Sequence, residues 1–252
     1  MTIQQAKFEY LLRLGDSNLI IGHRLSEWCG HGPILEEDIA LINIALDFVG
    51  NATAILTYAA LVEGKGRSED ELAYLRNERE YRNLLLTEQP NGDYAYTIAR
   101  QFLYDVYTFF LYEELKSSTD ETIAGIAVKS HKEITYHLRH TTEWMYRLGD
   151  GTEESHQRLQ TALNELWMFT TDLFDMNEVD ELLIKEGIAA DLNKVKAAWE
   201  KRVNEVIAEA TLQIPTTPIK QKGSREGKHS EHLGFLLAEM QYIPRSYPGA
   251  KW

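Results

Sequence analysis

The chain has 252 residues, 44% of them hydrophobic and 26% charged, the profile of an ordinary globular protein with ample material for a core. Its 39 acidic residues against 26 basic ones leave a net charge of −13, which argues against general binding to nucleic acid or to an anionic membrane surface, since both need a basic footprint. The single cysteine, Cys29, excludes an intramolecular disulfide framework and any cysteine-built zinc or iron–sulfur centre.

Met1 to Tyr10 contains Gln4, Gln5, Lys7 and Glu9 and no apolar run, so no secretory signal is visible. No stretch is expected to reach the ~20 apolar residues that span a bilayer, and a cytoplasmic location is the expectation. The 6 prolines stand at 33, 90, 215, 218, 244 and 248, all at breaks between apolar-periodic segments. Apolar residues recur at helical spacing and no period-2 segment appears. A first helix is predicted from about Thr2 to Trp28, with Leu11, Leu14, Asn18, Ile21, Leu25 and Trp28 inward, stopped by Cys29-Gly-His-Gly-Pro33. A second runs from about Ile34 to Glu63, with Leu41, Ile44, Phe48, Asn51, Ile55, Ala59 and Val62 inward, and ends at Gly64.

Ser68 with Glu71 reads as the cap of a shorter charged helix whose Arg76, Glu78, Arg79, Glu80 and Arg82 form an exposed face of i,i+4 pairs. Gln89-Pro-Asn-Gly-Asp93 makes a turn. From about Asp93 to Lys116 a helix is aromatic nearly all round, the mark of an element buried by neighbours or a partner. The next helix follows Ser117-Ser-Thr-Asp120 and continues to about Leu148, with Ile123, Ala127, Ser130, Ile134, His137, Thr141, Trp144 and Leu148 on one side. Thr152 caps a helix to about Phe174, shorter helices span Val179–Glu186 and Asp191–Ala210, 213–229 is loop, Ser230 opens a last helix, and the tail from Pro244 is irregular.

Two pairs of long helices joined by a crossing segment predict an all-α, ferritin-like four-helix bundle with additional C-terminal helices. The whole chain, 1–252, reads as a single domain, with the bundle core at about 2–174 and further helices and tail at about 175–252. A di-iron bundle draws one carboxylate from each of two helices and a Glu-x-x-His pair from each of the other two. The inward stripes here carry Asn18, Phe48 and Asn51, then Asp105, Ile134 and His137, at intervals of 30 and 3, then 29 and 3. Only Asp105 and His137 have ligating side chains, and two ligands do not hold two irons. These six positions read as a vestigial site, with no metal expected in this chain.

Asp105 lies in the stripe Ile98, Phe102, Asp105, Phe109, Tyr112, so its carboxylate faces a core. It is either a ligand or acid–base partner of His137, or half of a satisfied buried pair to which Asn18 and Asn51 donate. Glu133 and His140 flank the inward stripe of their helix, and an Asp47-x-x-Gly50 register has no side chain at Gly50 to ligate with. Lys220, Lys222, Arg225 and Lys228 stand against Glu226 alone in one loop. They form either a grip for a phosphate, a CoA tail or an acidic partner, or a plain solvated loop. Tyr242, Tyr247 and Trp252 are aromatics of the kind enriched at interfaces, or they tuck back onto their own helices. No P-loop, dinucleotide fingerprint, HExxH or nucleophile elbow is present.

The segments Leu14-Gly-Asp16, Glu27-Trp-Cys-Gly-His31, Asn83-Leu-Leu-Leu, Glu88-Gln-Pro-Asn-Gly92, Thr97-Ile-Ala-Arg-Gln101, Tyr136-His-Leu-Arg139, Glu186-Gly-Ile-Ala189, Glu231-His-Leu-Gly234 and Leu237-Ala-Glu-Met-Gln-Tyr242 carry a family resemblance along essentially the whole chain. It resembles the C-subunit (PaaC) family of the bacterial phenylacetyl-CoA epoxidases, also called ring-1,2 phenylacetyl-CoA oxygenases. The resemblance implies a structural subunit without catalysis of its own. It pairs with and stabilises a related catalytic A subunit that carries the di-iron centre. With further small subunits and a reductase, that complex epoxidises the ring of phenylacetyl-CoA in aerobic phenylacetate degradation, using dioxygen and NADPH-derived electrons. Matched to the A-subunit ligand pattern, Asn18, Phe48, Asn51 and Ile134 replace four of the six ligands, and Asp105 and His137 keep two. Phenylacetyl-CoA is then met through the complex, and the isolated chain is expected to self-associate. The rival readings are an atypical ferritin-like metal oxidase using Asp105, His137 and Glu133, and a helical CoA-thioester-binding protein with a cavity around Phe48, Asn51 and Ile134.

Overall fold

The computed structural model describes residues 1–250; Trp252, one of the three C-terminal aromatics singled out above, lies outside the described residues. Among the described residues all regular structure is helical and there is no strand. The chain forms two compact units, Met1–Pro90 with the stretch from Gly223 onward, and Asn91–Lys222.

The first unit is built on α1 (Ile3–Ser26) and α2 (Leu35–Glu63). Thr2 and Gln5 close a capping box on α1, with Gln5 N–H donating to Thr2 Oγ1 at 3.2 Å and Thr2 N–H to Gln5 Oε1 at 2.9 Å. α2 begins with Glu36, Glu37 and Asp38, charges that favour the positive end of the helix dipole. It stops at Gly64, whose φ of 71° is left-handed and suits glycine. The two helices are antiparallel and close: a Cβ on Gly15 would lie 2.7 Å from Leu56, and one on Gly22 3.2 Å from the Ala45 carbonyl.

A short α3 (Glu69–Tyr74) follows, capped by Ser68 and Glu71 as expected. The charged helical face expected to continue from it is not formed, although Glu78, Arg79 and Glu80 are exposed. The helix ends before Leu75, and Arg76, Tyr81, Asn83, Leu84, Leu85, Leu86, Thr87 and Glu88 are all buried, in a strap with one 3-10 turn at Glu78–Glu80. Two of the charges that looked like a surface lattice have long-range partners instead: Arg76 reaches Asp16, and Arg82 reaches Glu9 at 2.7 Å. Helical periodicity cannot distinguish a charged helix from a strap whose arginines point at another element.

The second unit carries α4 (Tyr94–Leu115), α5 (Glu121–Gly149), α6 (Glu153–Leu166), α7 (Glu178–Lys185) and α8 (Leu192–Glu209). Asp93, Asp120 and Thr152 cap the first three of these. The aromatic α4 is buried on nearly every side, as expected. Packed against it are α5, α6 and α8, and Trp199 of α8 donates its indole N–H to the Leu103 carbonyl at 2.9 Å. The sixth predicted helix tightens at Trp167–Phe174 into 3-10 turns that set Phe174 edge-to-face with Trp199, ring centres 5.4 Å apart. Back in the first unit, α9 (Glu231–Met240) and α10 (Tyr242–Ser246) complete the chain.

One expectation about composition is corrected. α2 is long and apolar enough to cross a membrane by length and hydropathy, with a mean hydropathy of 1.8 in its best window. It reaches that value because both of its faces are apolar; the inward residues alone would not suffice.

Candidate functional site

Helix α1 presents Asn18, and α2 presents Phe48 and Asn51, all buried to 1% exposure or less. The Asn18 side-chain amide turns back along its own helix and donates to the Leu14 carbonyl at 2.8 Å. Phe48 packs against α1 where Gly22 leaves room. An amide folded onto its own backbone and a phenyl ring supply no anionic oxygen for a metal.

In the second unit, α4 presents Asp105 and α5 presents Ile134 and His137, again fully buried or nearly so. Asp105 accepts hydrogen bonds from Gln101 Nε2 at 2.6 Å and from Thr141 Oγ1 at 2.9 Å. Burial pushes its carboxyl up to about 7, against the pull of the His137 charge and of these two hydrogen bonds. Both of these hydrogen bonds come from neutral groups. Thr141 was visible in the inward stripe of α5. Gln101 was not singled out, although it sits one turn before Asp105 on the same helix. Glu133 and His140 are half-exposed on the flanks of α5, and Glu133 lies 3.8 Å from Lys129.

The first unit holds a polar network that sequence reasoning missed. Asp16, fully buried, receives both terminal nitrogens of Arg76 and the Arg82 backbone N–H at 2.8 Å. The Arg76 guanidinium lies over the Tyr81 ring, 4.4 Å from its centre. Glu88, also fully buried, accepts from Asn83 Nδ2 at 2.9 Å, from His229 Nδ1 at 2.9 Å and from the Ser230 backbone N–H. His229 Nε2 faces the Tyr81 carbonyl at 3.1 Å. With an acceptor at each ring nitrogen, the imidazole needs both protons. Burial alone would lower its pKa, but the Glu88 hydrogen bond and charge outweigh that and raise it. Gln241 donates to the Arg76 carbonyl at 2.8 Å and to the Tyr81 hydroxyl at 2.9 Å. The C-terminal arm is therefore tied to the strap by a buried ion pair and by hydrogen bonds from the Gln241 side-chain amide.

Lys222 pairs with Asp175, Lys228 pairs with Glu226, and Lys220 is exposed, while Arg225 is half-buried. Tyr242 and Tyr247 are exposed, at 65% and 59%. A cavity of about 930 Å³ lies in the first unit, lined by His23, Tyr74, Leu75, Met240, Ile243 and Tyr247 among others; Phe48, Asn51 and Ile134, around which the rival thioester-binding reading places its cavity, do not line it. Burial brings the His23 imidazole down to about 4, so it stands there neutral.

The di-iron centre that a bundle of this kind implies does not fit the donors present. Of the six positions expected to match di-iron ligands, two carry a carboxylate or an imidazole, and among the described residues no three His, Cys, Asp or Glu side chains converge as a metal-binding group. Comparison with known proteins places the chain. The family model described as phenylacetic acid catabolic protein (PaaA_PaaC) matches residues 2–252. The C subunit of the 1,2-phenylacetyl-CoA epoxidase of Escherichia coli (strain K12) is 50% identical over 243 residues, covering 96% of this chain and 98% of that one. An all-helical chain matched over this length belongs to the PaaA_PaaC family of phenylacetic acid catabolic proteins, whose members are ferritin-like and helical.

Proposed function

We propose that this chain is the C subunit of a phenylacetyl-CoA epoxidase acting in phenylacetate catabolism, and that its own role is structural. It pairs with a catalytic A subunit that holds the di-iron centre, stabilises that subunit, and meets phenylacetyl-CoA only through the complex. The observation that carries the non-catalytic part is the chemistry of the six positions. Asn18, Phe48, Asn51 and Ile134 offer amide or hydrocarbon where carboxylate or imidazole is needed. The remaining pair, Asp105 and His137, supplies two ligating side chains, too few to hold two irons. The same reading has residues 1–252 working as one ferritin-like domain in the cytoplasm, and has the isolated chain self-associating.

The test is reconstitution. The chain is combined with an A subunit, the small subunits and the reductase, and phenylacetyl-CoA epoxidation is followed by dioxygen consumption. Activity is expected to require this chain and to survive Asp105→Asn and His137→Ala. Loss of turnover in a variant that still folds and still binds the A subunit would restore the metal-oxidase reading.

A further inference from the structure

We propose that the outward face of α2 is the seat of a helix from the catalytic partner chain, an inference that rests on the subunit reading above. α2 carries two apolar stripes. One, at Leu41, Ile44, Phe48, Asn51, Ile55, Ala59 and Val62, is buried. The other runs Leu35, Ile39, Ile42, Leu46, Gly50, Thr53, Thr57 and Leu61, spaced four and three apart, on the opposite side of the helix. Its large residues stand in the open, Leu35 at 71%, Ile39 at 52%, Leu46 at 63% and Leu61 at 73% exposure. No charge interrupts this second stripe. Scattered exposed leucines are normal on a protein surface, but a continuous stripe along one helix marks an interaction site.

Three details fit a helix as the occupant. Thr53 turns its hydroxyl back to the Val49 carbonyl at 2.9 Å, and Thr57 does the same to the Thr53 carbonyl at 2.8 Å. With each hydroxyl bonded within the helix, these residues add no unmet polar group to the stripe. Gly50 sits at mid-helix, where glycine is unfavourable relative to alanine. A Cβ there would meet nothing within 4 Å, so the packing of this chain does not require the glycine. Its effect is to let an outside backbone approach closely between Leu46 and Leu61, as small residues do where helices cross. Finally, Glu36, Asp38 and Asp47 border the stripe on a helix that contains no lysine or arginine, which selects a partner helix with an apolar seam and a basic rim.

The experiment measures binding of the tagged full-length chain to the purified A subunit, with circular dichroism melts to verify folding. Leu46→Lys combined with Leu61→Lys is expected to weaken binding by about 100-fold, and Gly50→Leu by about 10-fold, because anchors at the centre of an interface dominate its energy. Tyr136→Lys, a control on α5 at a residue 73% exposed, leaves binding unchanged. If folded α2 variants bind the A subunit as the unmodified chain does, the proposal is overturned while the subunit reading stands. If the unmodified chain does not bind the A subunit, the subunit reading fails and takes the proposal with it. Self-association abolished by the α2 variants with A-subunit binding intact would assign the face to a second copy. Sedimentation with phosphatidylglycerol vesicles through this face would assign it to lipid. Either of these last results overturns the proposal.

Discussion

Asp16 in the first unit and Asp105 in the second are both wholly buried carboxylates, and the chain treats them in opposite ways. Asp16 receives a full counter-charge from Arg76, reinforced by a backbone N–H, and Arg76 is itself bonded to the Glu80 carbonyl at 2.8 Å. Asp105 accepts from a glutamine amide and a threonine hydroxyl, and the charge of His137 pulls its carboxyl down against burial. An ionised carboxylate in a low-dielectric interior needs a charged partner, or it takes up a proton. The first unit supplies the partner, and the second favours the proton. Asp16 is tied into the architecture by an ion pair; Asp105 is held by neutral donors, with its carboxyl pushed up to about 7 by burial.

The sharpest way to break this comparison is Arg76→Ala, which leaves Asp16 buried without its counter-charge. A loss of about 3–5 kcal/mol in urea unfolding is expected, as for other broken buried pairs. A loss below 1 kcal/mol would mean that water reaches Asp16 and that the contrast is false.

Asp105→Asn tests the other side, and here pH carries the sign. The native carboxyl, at about 7, lies above its unfolded value of 3.8. Between these limits the native state holds a proton that the unfolded state has released, so stability falls as pH rises through the window. Asparagine lacks this slope. The variant is expected to match the parent near pH 4 and to exceed it at pH 8 by on the order of a few kcal/mol. Denaturation curves at the two pH values decide the matter, and parallel pH profiles would contradict it.

His229 gives a smaller and more local effect. Its pKa is raised by Glu88, so its contribution is complete below the unfolded value of 6.5 and is lost as pH climbs through the native value. Hydrogen exchange of the C-terminal arm should therefore speed up on the alkaline side in the parent beyond the intrinsic rate change. In His229→Gln that additional pH dependence should be absent. The smallest effect belongs to Gly50→Ala, which should raise the stability of the isolated chain by ~1 kcal/mol, since alanine is the better helix former and its Cβ points into open space.

Much of the fold was legible because α1, α2, α4 and α5 announce themselves through long apolar periodicity, and because Thr2, Ser68, Asp93, Asp120 and Thr152 are strong caps. All seven residues assigned to the inward stripe of α2 are buried. The strap was not legible. Arg76, Glu80 and Arg82 have helix-compatible spacing, and nothing local reveals that Asp16, 60 residues earlier, awaits the first of them. The network partners Asp16, Asn83, Glu88 and Gln241 all fall in segments that carry the family resemblance. Their pairing became visible only in three dimensions. At the candidate site, spacing located the six positions and their burial; it did not identify Gln101 as the group that holds Asp105.

The central claim is that this chain cannot hold a pair of irons, and its most direct test is metal analysis. The chain would be produced with excess iron, both alone and bound to its catalytic partner, and iron per chain measured after gel filtration. The account expects negligible iron on the chain alone and, in the complex, iron that follows the partner and is unaltered by His137→Ala in this subunit. Two iron atoms retained by the isolated chain and lost on His137→Ala would contradict it.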